Sequence, residues 1–133
     1  MGTRSTIKFY DNWGSDEPLV SIYQQFDGYI DGVGHDLANF LKDKTVINGI
    51  GMDQRMENGF ANGMGCLAAQ FIAEKKTEIG GFYISNLNDQ QEYNYEVRLV
   101  DDKFNIKVEF YDSKFEGTPE ELLEYKEPDE DEE

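Results

Sequence analysis

Hydrophobic and polar residues alternate in several short segments of the chain, a pattern typical of β-strands with one buried face. Residues 6–10 and 19–25 alternate in this way and are separated by turn-forming residues, so we expect a hairpin. Residues 93–99 and 104–110 predict a second hairpin around Asp101-Asp102, and residues 81–86 predict a fifth strand.

Two segments between these strands have the apolar spacing of helices. Leu37, Phe40 and Leu41 predict a short helix over residues 35–43. A longer helix is predicted over residues 64–77 from the apolar positions Met64, Leu67, Ala68, Phe71 and Ile72. This order of elements indicates an α+β fold, in which an antiparallel sheet of about five strands carries two helices on one face.

The C-terminal part of the chain has separate signals. Thr118-Pro119-Glu120-Glu121 has a capping residue, a proline at the first helical position and a glutamate three residues after the cap, which predicts a short helix. Residues 127–133 contain six acidic residues and a proline, with nothing to bury. We therefore expect one domain over residues 1–126, followed by a disordered acidic tail.

The charge balance limits the classes of partner. The 133 residues include 28 Asp+Glu against 12 Lys+Arg, a net charge of -16, and residues 112–133 hold eleven of the acidic residues. This charge argues against direct binding of nucleic acid and of anionic membranes. The single cysteine cannot form an intramolecular disulfide, which favours a reducing compartment.

Both predicted helices follow a Gly-x-Gly sequence, Gly32-Val33-Gly34 and Gly63-Met64-Gly65. A glycine-rich turn exposes backbone amides, and a helix N-terminus carries partial positive charge, so the two turns could hold a phosphate, carboxylate or nucleotide. The remaining candidate ligand-binding residues are Phe26, Tyr29, Arg55, Phe82 and Arg98. Alternatively, the glycines only permit tight turns and close packing. The sequence has neither the third glycine of a dinucleotide fingerprint nor a P-loop lysine.

Cys66 and His35 each lie at the start of a predicted helix. If the two helix ends are adjacent, the pair could act as nucleophile and base. The alternative is a small packing residue and a solvated histidine. Asp27, Asp31 and Asp36 do not have the spacing of a calcium loop, so we predict no metal site and no cofactor.

The outward face of the predicted sheet carries both aromatic and cationic residues. They are Lys8, Tyr10, Tyr23, Arg98 and Lys107. If the strands are neighbours, this patch could stack a nucleotide base or bind a partner. Alternatively, Arg98 and Lys107 pair with Glu96 and Glu109 as ordinary cross-strand partners.

Four segments of the chain resemble one family, a group of short proteins of tailed phages, prophages, bacteria and large viruses. The segments are Met1-Gly2-Thr3-Arg4, Phe26-Asp27-Gly28-Tyr29, Asn62-Gly63-Met64-Gly65-Cys66-Leu67-Ala68-Ala69-Gln70 and Phe115-Glu116-Gly117-Thr118-Pro119-Glu120-Glu121. Family members tend to have proline after Phe-Asp-Gly-Tyr, where this chain has Ile30. The resemblance implies a viral genomic setting and the cytoplasm of the host cell, but no catalytic residues.

Three functions are compatible with these features. The leading expectation is a non-enzymatic, phage-type accessory protein that inhibits or modulates a host defence or nucleic-acid-handling component through its acidic surface, because carboxylates can occupy a cationic groove. The second is a protein that sequesters a small nucleotide-like signalling ligand at the glycine turns. The third is a hydrolase or transferase that depends on Cys66. Self-association through an exposed sheet edge is compatible with each.

Overall fold

The computed structural model describes residues 2–11, 16–47 and 59–127 and has the α+β architecture expected from the sequence. The large sheet has six strands, one more than predicted. These strands are β1 Ser5–Phe9, β2 Val20–Gln24, β5 Phe82–Ser85, β6 Tyr93–Val100, β7 Lys103–Phe110 and β8 Ser113–Gly117. They lie side by side in the order β5-β2-β1-β6-β7-β8.

Three helices and a small second sheet complete the described part of the chain. The helices are α1 His35–Leu41, α2 Gly63–Lys75 and α3 Pro119–Glu124, and a π-helical turn, Ile30–Gly34, leads directly into α1. The small sheet pairs β3 Thr45–Ile47 in parallel with β4 Phe60–Asn62. The sequence predicts a long loop over residues 45–63, with a small hairpin at Asn48-Gly49 as the alternative. β3 and β4 lie at the two ends of this segment and pair in parallel, while residues 48 and 49 lie outside the described residues.

The two predicted hairpins are present. β1 pairs with β2 and β6 pairs with β7, both antiparallel. Asp101 and Asp102, which join β6 to β7, have φ angles of 52° and 65°, the left-handed backbone that two-residue hairpin turns favour. The sheet is not wholly antiparallel, however, because β1 also pairs in parallel with β6.

The strand of the large sheet that the sequence analysis missed is β8. It follows β7 after a tight turn at Tyr111, whose φ angle is 53°, and it pairs antiparallel with β7. Phe115 is the only large apolar residue in β8, so the strand has no alternating pattern to detect. Pairing along the β7 edge therefore defines this strand more than its own sequence does.

β1 is buried on both faces, whereas its alternating sequence predicts one solvated face. It lies between β2 and β6, and Ile7 and Phe9 point into the core. On the other face, Lys8 is only 4% exposed, and its ammonium donates a hydrogen bond to the Asp89 carbonyl. Burial lowers the pKa of Lys8. The segment before β6 thus covers the middle of the outward face.

Phe71 of α2 connects the helices to the inner face of the sheet. Its ring lies 5.7 Å from that of Phe9 in β1, 5.1 Å from that of Phe40 in α1 and 6.1 Å from that of Phe82 in β5. At the C-terminal end, α3 begins with the predicted capping box, in which Thr118 and Glu121 each bond the backbone amide of the other.

Candidate functional site

The first glycine turn, Gly32-Val33-Gly34, is tightly packed. A Cβ atom at Gly32 would overlap the carbonyl oxygen of Asp27. A Cβ atom at Gly34 would lie 3.1 Å from the hydroxyl of Tyr95, a side chain with no exposed surface. These contacts support the packing interpretation of the first turn, because both positions lack the room for a side chain.

The backbone amides of this turn are bonded within the protein. Val33 N donates to the Asp27 carbonyl at 2.8 Å, and Gly32 N donates to the Tyr29 carbonyl at 3.0 Å. Ile30 N donates to the carboxylate of Glu127 at 2.8 Å, and that carboxylate also accepts a hydrogen bond from Tyr93 at 2.6 Å. The amides of the glycine turn are therefore bonded to backbone carbonyls, and a carboxylate of the chain itself lies at the start of the π-helical turn that contains it.

Beneath this turn lies a buried tyrosine. The Tyr95 hydroxyl donates a hydrogen bond of 2.7 Å to the Gly28 carbonyl. Burial raises the pKa of Tyr95 well above its usual value, and the nearby carboxylate of Glu127 acts in the same direction. Tyr95 thus packs against the turn, and the residue Ile30 just before the turn is bonded by Glu127, the first residue of the predicted acidic tail.

The second glycine turn, Gly63-Met64-Gly65, has no close neighbours in the described part of the chain. Gly63 has a φ angle of 86°, which favours glycine, but a Cβ atom there would meet no described residue within 4 Å. The same holds for a Cβ atom at Gly65. Among the described residues, this turn is therefore less closely packed than the first.

Cys66 and His35 are not joined by a hydrogen bond in the described structure. Cys66 packs partly buried against the core from the first turn of α2. His35 has its Nε2 atom 3.7 Å from an Asp31 carboxylate oxygen one turn earlier. Each residue thus has surroundings of its own, and a catalytic role for the pair stays a prediction. The described residues also contain no group of three or more side chains suited to a metal ion.

On the outward face of the sheet, one aromatic and one cationic residue lie together, and two of the cations pair with carboxylates of the chain. The Arg98 guanidinium lies 3.7 Å from the centre of the Tyr10 ring and bonds Glu96 at 2.8 Å. Lys107 pairs with Glu109 at 3.8 Å. These are the carboxylates that the alternative to a binding patch names, but each pair lies within a single strand, β6 or β7, and does not cross from one strand to the next.

The predicted aromatic ligand residues are divided among different surroundings. Phe26 and Phe82 line one small cleft of about 170 Å³ beside Gly80 and Gly81, where Phe26 is 55% exposed. Tyr29 instead donates a hydrogen bond of 3.0 Å to Asp27 beside the first glycine turn. Arg55 lies outside the described residues. The structure therefore gathers only part of the predicted set.

A cavity of the described structure was not anticipated from the sequence. It has a volume of about 630 Å³ and lies between the C-terminal end of α1, β3, the β6–β7 turn and the start of α3. We call it the lysine cleft, because Lys42, Lys44 and Lys103 line it. The rest of the lining comprises Leu41, Thr45, Val46, Leu99, Asp102, Phe104, Thr118, Pro119 and Glu120. Its lysines belong to no motif, and only the fold brings Lys103 beside the other two.

Comparison of the chain with protein-family models, curated proteins and solved structures gives no match. In the described ranges, no helix is both long and apolar enough to cross a membrane. The function is therefore argued from the geometry and charge of the chain's own residues.

Proposed function

We propose that this protein is a non-enzymatic binding protein that presents carboxylates to a partner with a basic surface. The observation that carries the proposal is the placement of charge: within the described ranges, no aspartate or glutamate is buried, and Lys8 is the one buried charged residue. The carboxylates of these ranges therefore act at the surface, where they can attract a cationic partner and raise the rate of encounter.

Three of the exposed carboxylates lie at the β8 edge of the sheet. They belong to Asp112, Glu116 and Glu124, and within the described residues they make no hydrogen bond or ion pair. Asp112 precedes β8, Glu116 lies in β8 and Glu124 ends α3, which packs against β8. We call these three residues the acidic edge. They can bind a partner without first breaking an internal contact, in contrast to Glu96 and Glu109.

The resemblance to short phage proteins supports a more specific form of the proposal. In this form, the protein inhibits or modulates a bacterial host component whose cationic groove normally receives nucleic acid. Repeated carboxylates resemble the repeated negative charge of phosphates, so such a groove is a chemically suitable partner. The host cytoplasm would be the place of action.

The test uses matched charge-removal variants in a bacterial lysate. The edge variant combines Asp112→Asn, Glu116→Gln and Glu124→Gln, and the control combines Asp11→Asn, Asp16→Asn and Glu78→Gln, which are also exposed. Proteins captured at about 0.05 M salt and released at about 0.5 M salt are identified by mass spectrometry.

The dissociation constant of the captured partner then decides the outcome. We expect the edge variant to bind at least about tenfold more weakly than the wild type, and the control to bind less than about threefold more weakly. Equal weakening in both variants, or capture that ignores salt, would contradict a role for the acidic edge. Displacement of nucleic acid from the partner by the wild-type protein is the functional readout.

A small nucleotide-like ligand is a second candidate, favoured by the lysine cleft. The first glycine turn does not support it, because the carbonyls of Asp27 and Tyr29 already accept hydrogen bonds from its amides. A Cys66-dependent reaction is favoured by no contact in the described structure. Its remaining test is the rate of Cys66 alkylation by iodoacetamide, which should not exceed that of free cysteine in a protein that binds without catalysis.

A further inference from the structure

We infer that the lysine cleft binds a small molecule that combines an anionic group with a flat ring and hydroxyl groups, the chemistry of a nucleoside phosphate. This inference deepens the second candidate function and is independent of the acidic edge, which shares no residue with the cleft. It also moves the ligand from the glycine turns to the opposite end of α1.

The size and walls of the cleft suit a ligand of this kind. Its volume of about 630 Å³ lies within the range of roughly 300–1,000 Å³ that is usual for small-molecule sites. Leu99 and Phe104 give it an apolar wall, and Phe104 is a member of the core that keeps 9% of its surface exposed. A flat ring can therefore lie against side chains that folding already holds in place, which lowers the entropic cost of binding.

The charge of the cleft is unusual for this protein. Three lysines and only two carboxylates, Asp102 and Glu120, line it, although acidic residues outnumber basic ones by 28 to 12 in the chain. Within the described ranges, Lys42 and Lys103 form no ion pair. The Lys44 ammonium lies 4.8 Å from the centre of the Phe40 ring. Lys42 and Lys103 can therefore donate to a phosphate without giving up a carboxylate partner.

The two carboxylates indicate what the rest of the ligand offers. An ionised carboxylate accepts hydrogen bonds and cannot donate them. Asp102 and Glu120 therefore favour a ligand with hydrogen-bond donors, such as sugar hydroxyls or ring amino groups. A purely anionic ligand would meet repulsion from them. Asp43 and Asp101 are also exposed and adjoin lining residues along the chain, so they add two carboxylates near the cleft. More distant negative charge interferes little, because salt screens exposed charges beyond about 8 Å at physiological ionic strength.

The experiment is a calorimetric titration with three probes, AMP, adenosine and inorganic pyrophosphate. The cleft variant combines Lys42→Gln and Lys103→Gln. The control combines Lys107→Gln and Lys114→Gln, which remove the same charge from strands β7 and β8 outside the cleft. Thermal melting of each variant first establishes that it is folded.

AMP should bind the wild type with a dissociation constant of about 1 mM or lower, and more tightly than adenosine or pyrophosphate. The cleft variant should bind AMP about tenfold or more weakly, because each lysine supplies a hydrogen bond from a charged donor. The control should stay within about twofold of the wild type. In NMR titrations, the amide shifts should concentrate at Val46, Leu99 and Lys103.

Three outcomes would overturn the inference. The first is the absence of AMP binding at concentrations well above about 1 mM. The second is equal loss of binding in the cleft and control variants, which would mean that total charge and not the cleft matters. The third is adenosine binding as tightly as AMP, which would leave the lysines without a role. Each result leaves the acidic-edge proposal unaffected.

Discussion

The two Gly-x-Gly turns of this protein share a sequence pattern but not a structural role. Gly32 and Gly34 are enclosed by Asp27 and Tyr95, whereas a Cβ atom at Gly65 would meet no described residue within 4 Å. The amide of Ile30, two residues before the first turn, also bonds Glu127. The first turn is therefore a packed junction beside the C-terminal segment, and the second is a helix start without close contacts in the described part of the chain.

The comparison shows why the motif alone does not define a binding site. Glycine permits both a close approach of two chain segments and a free approach of a ligand, and the sequence is the same in either case. The deciding contacts come from Tyr95 and Glu127, which are more than 60 residues away along the chain. The expected effects of substitution differ accordingly. Gly32→Ala in the first turn should cause a large loss of stability, and Gly65→Ala in the second should cause a small gain.

Gly32→Ala should be the most damaging of the glycine substitutions. Its Cβ atom would overlap the Asp27 carbonyl oxygen, which is a backbone atom. A shift of this oxygen would also disturb the hydrogen bond that it accepts from the Val33 amide. We expect a loss of about 3 kcal/mol in the free energy of unfolding, measured by urea denaturation. A variant with wild-type stability would show that the first turn is as open as the second.

Tyr95→Phe should remove the support beneath the first turn. The substitution leaves the buried Gly28 carbonyl without the hydroxyl that donates to it, and it preserves the ring. We expect a loss of about 2 kcal/mol in the free energy of unfolding. Tyr83→Phe is the control, because Tyr83 is 44% exposed, and it should change stability by less than about 0.5 kcal/mol.

The pH dependence of stability tests the same side chain by a second route. Burial raises the pKa of Tyr95 above the ordinary tyrosine value near 10, so above that pH the unfolded chain loses a proton that the folded protein keeps. Stability should therefore fall as pH rises above about 10, by up to about 1.4 kcal/mol per pH unit from this group. The fall should be smaller in Tyr95→Phe. Equal slopes in the two proteins would argue against a buried hydroxyl at this position.

Local patterns predict much of the fold because their causes are local. Alternation predicts the β6–β7 hairpin, and Asp101-Asp102 supplies a turn whose backbone suits it. The capping box of α3 is likewise complete within four residues. These features depend on neighbours along the chain, so the sequence carries them directly.

The missed features depend on residues far apart in the chain. β8 has a single large apolar residue and forms because β7 offers an edge. The lysine cleft needs Lys103 beside Lys42 and Lys44, and the closure of the first glycine turn needs Glu127 beside Ile30. No spacing rule relates such residues, since their proximity follows from the sheet order and the packing of α1 against α3.

Glu127→Gln tests the closure of the first turn by the C-terminal segment. The amide oxygen of glutamine can still accept from Ile30 N, but the charge opposite the helix start is lost, and the hydrogen bond from Tyr93 becomes weaker. We expect a loss of about 1 kcal/mol in the free energy of unfolding, measured at low and at high salt. Glu124→Gln is the control, because Glu124 is exposed and has no such bond. A matching loss in the control would indicate a general charge effect instead.

Gly65→Ala should have the smallest effect, and it should have the opposite sign. Gly65 lies in the first turn of α2, and its backbone φ is not in the left-handed region. A Cβ atom there would have no described residue within 4 Å. Alanine should therefore raise the free energy of unfolding by about 0.5 kcal/mol, because it restricts the unfolded chain and favours helix. Gly63→Ala is the matched comparison two residues earlier, and it should lower stability by about 1 kcal/mol because Gly63 has a φ angle of 86°. If Gly65→Ala destabilised the protein as Gly32→Ala is expected to, the second turn would be packed as well, and the contrast between the two turns would be wrong.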